Sequence, residues 1–154
     1  MPWIFVVGNR EALSWVLTKQ RMAFRDRVQT EGLRSGQPVA IYASRHTWGR
    51  PNNDRSQVAA IGVLASPVQR RPVELGGEIF PKSCRLTFDV VLPERHGLPF
   101  RPLVRRLNFI PKKGGDKGWG AYLRRTVVEV DERDFGIIAS ALRRYSPDGG
   151  SDSK

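Results

Sequence analysis

Few side chains in this sequence are typed and spaced for bond-making chemistry. His46, His96 and Cys84 are its only imidazoles and thiol, and they stand at no zinc-binding spacing. A single cysteine forms no internal disulfide, which fits a reducing cytoplasm. No G-x-S-x-G elbow presents a serine nucleophile. The run KKGGDKG, residues 112–118, has the composition of a phosphate-cradling loop but lacks the order G-x-x-x-x-G-K-[ST]. The acids between Glu129 and Asp134 suit a first helical turn better than a pair flanking a reaction centre. The residues therefore point away from an enzyme, a metal and a cofactor.

Binding chemistry is better represented. Lysine and arginine number 26 against 15 acids, a net charge of +11. That excess speaks of polyanionic partners, nucleic acid first. No run reaches the roughly 18 apolar residues of a spanning helix, so a membrane partner is not expected. The start, MPWIFVVGNR, has no basic leader region. Arginine pairs stand at 70–71, 105–106, 124–125 and 143–144, and the planar guanidinium fork matches phosphate. Spread this way, they form either one basic face after folding or a solvated arginine-rich surface. Trp48 and Trp119 stand in polar, glycine-containing loops, and Phe24 stands between basic residues. Such aromatics suit base stacking; equally, they suit lids that close the end of a barrel.

These residues need a scaffold. Trp3 to Gly8 is a continuous apolar run and reads as a central strand. Asn9 follows as an N-cap, with Leu13, Val16 and Leu17 on one helical face. Trp15 in this helix and Trp3 in the strand are expected in the core. RMAFRDRVQTEGLRSGQ is basic and mixed, with a short helical patch before Gly32. Pro38–Ser44 and Gln57–Ser66 read as further strands, separated by the turn-rich loop RHTWGRPNNDRS. Strand character returns in PVELGGEIF and CRLTFDVVLP. LPFRPLVRRLNFI, broken by two prolines, is a connector with a short helix or strand at its end. RTVVEV precedes a helix capped by Asp131, on which Phe135, Ile138, Leu142 and Tyr145 share a face. Residues 1–145 form one α+β domain, and 146–154 read as a disordered polar tail.

In this order PWIFVVGNREALSWV, GQPVAIYAS, QVAAIGVLASPV and PLVRRLNFIPKK…GWGAYLRRTVVEVDERDFGIIASAL resemble the EVE domain of the PUA-like superfamily, from Pro2 to about Leu142. EVE domains are similar in fold to YTH domains, which read methylated adenine in RNA. The resemblance implies a PUA-like bent mixed β-sheet or small barrel flanked by helices. It also implies a pocket for a flipped, modified nucleobase, foremost modified cytosine in DNA. It places Asn9 beside the pocket at the end of the first strand. Phe24, in RMAFRDR, stands where the family carries an aromatic wall, often tryptophan before glycine. The end of the second strand, after Tyr42, approaches the pocket through Ser44 and Arg45, and Phe109 comes from a strand floor, NFI; Trp48, in the loop beyond, is a pocket candidate as a loop aromatic rather than by the resemblance. Trp119 matches the family's tryptophan after the basic loop. Arg25, Arg45, Lys112, Lys113, Arg124 and Arg125 are then the candidates for phosphate contact. Any cutting of the bound nucleic acid would fall to a partner effector protein. Three other readings stay open: a PUA-like binder of tRNA or ribosomal RNA, a sensor of a small anionic molecule or nucleotide in the same pocket, and a basic scaffold protein with no base pocket.

Overall fold

The apolar run at the start becomes strand β1 (Trp3–Val7), and it is interior for a simple reason. Both faces of WIFVV meet apolar neighbours: Ile4 belongs to one core cluster, Phe5 and Val7 to the other. A strand buried on two sides carries no polar alternation. The computed structural model describes residues 1–50, 54–110 and 119–145, and all elements below lie within them.

Helix α1 (Arg10–Lys19) follows. The Asn9 side chain accepts from the Ala12 amide at 3.0 Å, and Gln20, at φ 55°, ends the helix in the left-handed region. Next comes β2 (Arg21–Phe24), where the sequence suggests only a mixed segment with a helical patch. β3 (Pro38–Ala43), β4 (Gln57–Leu64), β5 (Val73–Leu75), β6 (Glu78–Phe80), β7 (Lys82–Val91), β8 (Leu98–Pro99) and β9 (Val127–Glu129) complete the strands, and α2 (Glu132–Arg144) comes last. Two 3-10 helices, Arg101–Arg106 and Trp119–Leu123, connect β8 to β9.

The main sheet runs β2-β7-β4-β3-β1-β9, with β8 also paired to β4. β1 and β3 are parallel; every other pairing in it is antiparallel. This mixed sheet curls into a half-barrel with a few flanking helices, an α+β architecture. α2 covers one face through Ile138 and Leu142, against Ile4, Tyr42, Phe100 and Leu107. α1 covers the other through Leu13 and Val16, against Phe5, Phe24 and Ile41. Curvature has a local cause in β4, whose registers slip at Ile41/Tyr42 against β3 and at Ile61/Gly62 against β7. Gly62 is obligatory there, because a Cβ would stand 2.1 Å from the Thr87 carbonyl oxygen.

β5 and β6 form a separate two-stranded sheet, joined by Gly76 and Gly77 at φ 58° and 80°. Positive φ at both central residues is the requirement of a tight hairpin turn.

The segment Asn108–Ile110 is a turn rather than a strand floor. Its anchor is Asp134, which is fully buried in the first turn of α2. That carboxylate accepts from the Asn108 amide at 2.8 Å and the Phe109 amide at 2.9 Å. Residues 111–118 and the polar tail 146–154 lie outside the described residues. Among the described residues no helix is long and apolar enough to cross a membrane.

Candidate functional site

A cavity of about 300 Å³ opens beside Asn9, within the size range of small-molecule sites, roughly 300–1,000 Å³. Its lining comes from distant parts of the half-barrel: Val6, Val7 and Gly8 at the end of β1, Met22 and Ala23 of β2, and Thr126 just before β9. α1 adds Ala12 and Val16. The β5–β6 hairpin contributes Leu75 and Phe80. The hollow is thus lined mostly by apolar side chains, with Asn9, Thr126 and Arg25 as its polar ones.

Each polar group is oriented by something local. Capping α1 engages the Asn9 carboxamide oxygen, so what remains for a ligand is the amide NH2, a donor of two hydrogen bonds. Arg25 is gripped on two sides. Its Nε and a terminal nitrogen donate to the Glu78 carboxylate at 2.6 and 2.9 Å, and its guanidinium lies 5.3 Å from the Phe80 ring centroid. Arg25 holds the Glu78 carboxyl below the ordinary carboxylate range by hydrogen bonding, and Glu78 raises Arg25 in return. The hairpin is therefore latched to the rim of β2 by a two-toothed ion pair. A site of this composition favours a flat, uncharged ring presenting acceptors to Asn9, because the charge of Arg25 is already balanced by Glu78.

The sequence candidates divide sharply. Asn9 and Arg25 border the cavity. Phe24 does not: it is fully buried, edge-on to Phe5 with centroids 5.5 Å apart, and a ring sealed into the core offers no face to a ligand. Tyr42 is likewise core, edge-on to Phe100 at 5.2 Å; burial raises its phenol pKa, against a hydrogen bond with Ser56. Ser44 sits at the neighbouring strand end, where its hydroxyl would lie 3.6 Å from a Cβ on Gly8, but it is not in the lining. Phe109 is half-buried and packs against the α2-side core. Trp48 belongs to a different hollow, on the other flank of α1. Arg45, Arg124 and Arg125 are exposed. Trp119 opens the second 3-10 helix; its side chain, with Lys112 and Lys113, lies outside the described residues. Trp3 and Trp15 are half-buried rather than core. The Trp3 indole donates to Gln37, and Arg21 lies over Trp15.

Of the lining residues only Asn9 and Arg25 are foreseen from the sequence; Phe80 and Leu75 are the ones that come from an element far along the chain. The signal for them is Gly76-Gly77 between the short runs VEL and EIF, a hairpin pattern, although that pattern does not say where the hairpin docks. Among the described residues no group of three or more His, Cys, Asp or Glu is placed to hold a metal. Cys84 is buried, and its pKa is pushed up to about 12, chiefly by burial, which leaves it protonated and unreactive.

No known family model matches the chain, and no curated protein matches its sequence. Solved structures do match in fold. One is a YTH domain-containing protein mmi1 and RNA complex, at TM-score 0.57 and 8% identity, covering 92% of this chain and 80% of that one. The half-barrel therefore shares its fold with a YTH domain.

Proposed function

We propose that this chain is a non-enzymatic EVE-type domain of the PUA-like superfamily that binds nucleic acid by taking one extruded, modified base into the cavity beside Asn9. The observation that carries this reading is the cavity itself. It joins mostly apolar side chains, the Phe80 ring, a donor amide on Asn9 and, at the rim, Arg25 paired with Glu78, on a fold similar to a domain solved with RNA. An extruded base needs a flat slot and hydrogen bonds for its edge. The Asn9 donors suit the carbonyl and ring-nitrogen acceptors of a pyrimidine, and modified cytosine in DNA is the leading ligand. Arg45, Arg124 and Arg125 are exposed and suit the flanking phosphates, with Lys112 and Lys113 as further candidates. RNA is the second reading, favoured by the RNA in that structural neighbour.

The test is a binding screen of single-stranded heptanucleotides, DNA and RNA, whose central position is abasic, unmodified, or a modified cytosine or adenine. Preference for a modified central base is the expected result, and equal binding of the abasic strand would refute the reading. Asn9→Asp sharpens it. A carboxylate still caps α1 but has no donor, so stability should hold while affinity for the central base falls at least about fivefold, the loss of roughly one hydrogen bond. Arg124→Ala with Arg125→Ala should weaken all strands alike and reduce the dependence on salt. An unchanged salt slope would remove both from the phosphate contacts.

A further inference from the structure

α1 has a cavity on each flank. Asn9, Ala12 and Val16 border the first. Arg10, Leu13 and Leu17 border the second, which holds about 140 Å³ and is walled by Trp48, Glu94 and Arg95. Consecutive residues, Asn9 and Arg10, thus stand at the edges of two hollows. The second has its own polar design. Glu94 receives the Arg10 Nε at 2.7 Å and the Trp48 indole N–H at 3.2 Å. Arg95 is held at φ 66°, in the left-handed region, and donates twice to one oxygen of Asp54, at 3.1 and 2.7 Å. The Asp54 side chain is only 7% exposed, and its other oxygen is buried with no hydrogen-bond partner.

We propose that this second cavity is a subsite for the neighbouring base of the same strand, stacked on Trp48 with its exocyclic amino group donating to Glu94. This rests on the first cavity holding a base. The ligand class follows from the groups present. Trp48 supplies a flat apolar face, of the kind on which bases stack. Glu94 is an acceptor, and a carboxylate reads an amino edge such as that of cytosine. It also tolerates a nearby phosphate strand, because Arg10 already neutralises it. The volume, less than half that of the first cavity, suits partial insertion rather than enclosure. The charges cancel pairwise: Arg10 against Glu94, and Arg95 against Asp54. The subsite would therefore add base preference without adding to salt dependence, which separates it from a phosphate contact.

The experiment uses the full chain and the heptanucleotide carrying the best-bound central base, with every flanking position abasic. One flanking base is then restored on either side of the centre. Restoring cytosine or adenine on one side should raise affinity about tenfold; thymine, which has no exocyclic amino group, should raise it less. Trp48→Ala should abolish the gain and leave the salt slope as it was. Glu94→Gln, a change at a half-exposed side chain, should let thymine match cytosine, and it decides the matter if Trp48→Ala does not fold. No gain on either side, a gain that survives Trp48→Ala, or thymine equal to cytosine in the wild-type chain would each overturn the proposal. Indifference to the central base with a gain from the flanking one would instead refute the first cavity's role, so the two failures are distinguishable.

Discussion

Replacing Asp134 by asparagine should loosen the turn at Asn108–Ile110 while keeping the volume of the side chain. In the native protein both carboxylate oxygens are used: Oδ1 accepts from the Asn108 amide at 2.8 Å and Oδ2 from the Phe109 amide at 2.9 Å. Asparagine keeps one acceptor and turns an NH2 toward the other amide. One hydrogen bond to a charged group is lost, about 1.5–3 kcal/mol, and a buried donor is left unsatisfied, about 1–3 kcal/mol more. The Arg133 contact with Asp134 adds little to this sum, because the Arg133 side chain is 57% exposed and screened by solvent. The expected loss is about 3 kcal/mol. For a chain of this size that is roughly 6–12 °C in Tm. Urea denaturation should show a lower midpoint with an unchanged slope, the signature of altered stability rather than altered compactness. A loss under about 1 kcal/mol would refute the reasoning, since it would mean that the two amides find water or other partners when the carboxylate is gone.

Gly62→Ala should cost about 3 kcal/mol or more, because its Cβ would meet Thr87 and Phe88 backbone atoms at 2.1 and 2.8 Å and backbone cannot rotate away; urea melts check it, and a near-neutral result would mean that β4 and β7 can slide apart freely. Cys84 should resist iodoacetamide at pH 8 in the folded protein and react once it is unfolded, because its buried thiol is held at about 12; rapid labelling of the native chain, read by mass spectrometry, would contradict this. The Glu78 carboxyl should titrate below the ordinary value of 4.5. The latch on the β5–β6 hairpin is then fully present above pH 4.5 and is lost as pH falls through that lower midpoint. Carbon NMR of Glu78 should show the depressed midpoint, with Arg25→Ala moving it back toward 4.5; equal midpoints in the two proteins would sink the latch.

The sequence announces the elements whose signals are local. Asn9 and Asp131 stand where caps are needed, and both accept from the amide three residues on. The apolar runs in β1, β3 and β4 are buried on both faces, so they needed no alternation to be recognised. What escapes is set by distant partners. Arg21–Phe24 is four residues long with an arginine in it, and only pairing with β7 makes it a strand. Phe24, among basic neighbours, looks like a surface aromatic until β2 turns it onto Phe5. Asp134 looks like one more acid in a first helical turn; its bonds reach back 26 and 25 residues to Asn108 and Phe109. The cavity beside Asn9 was foreseeable at one wall only, because the wall opposite belongs to a hairpin about 70 residues away.

That hairpin bears on how binding preference can change. It makes its own two-stranded sheet, contributes no strand to the half-barrel, and is tied through Glu78 to Arg25, just past the end of β2. A swapped loop between Val73 and Phe80 would recut one wall of the cavity while the apolar interior stayed as it is. Libraries confined to those eight positions are thus an economical route to variants with new ligand tastes, and drift at the same positions is where sister proteins of this shape would be expected to part ways.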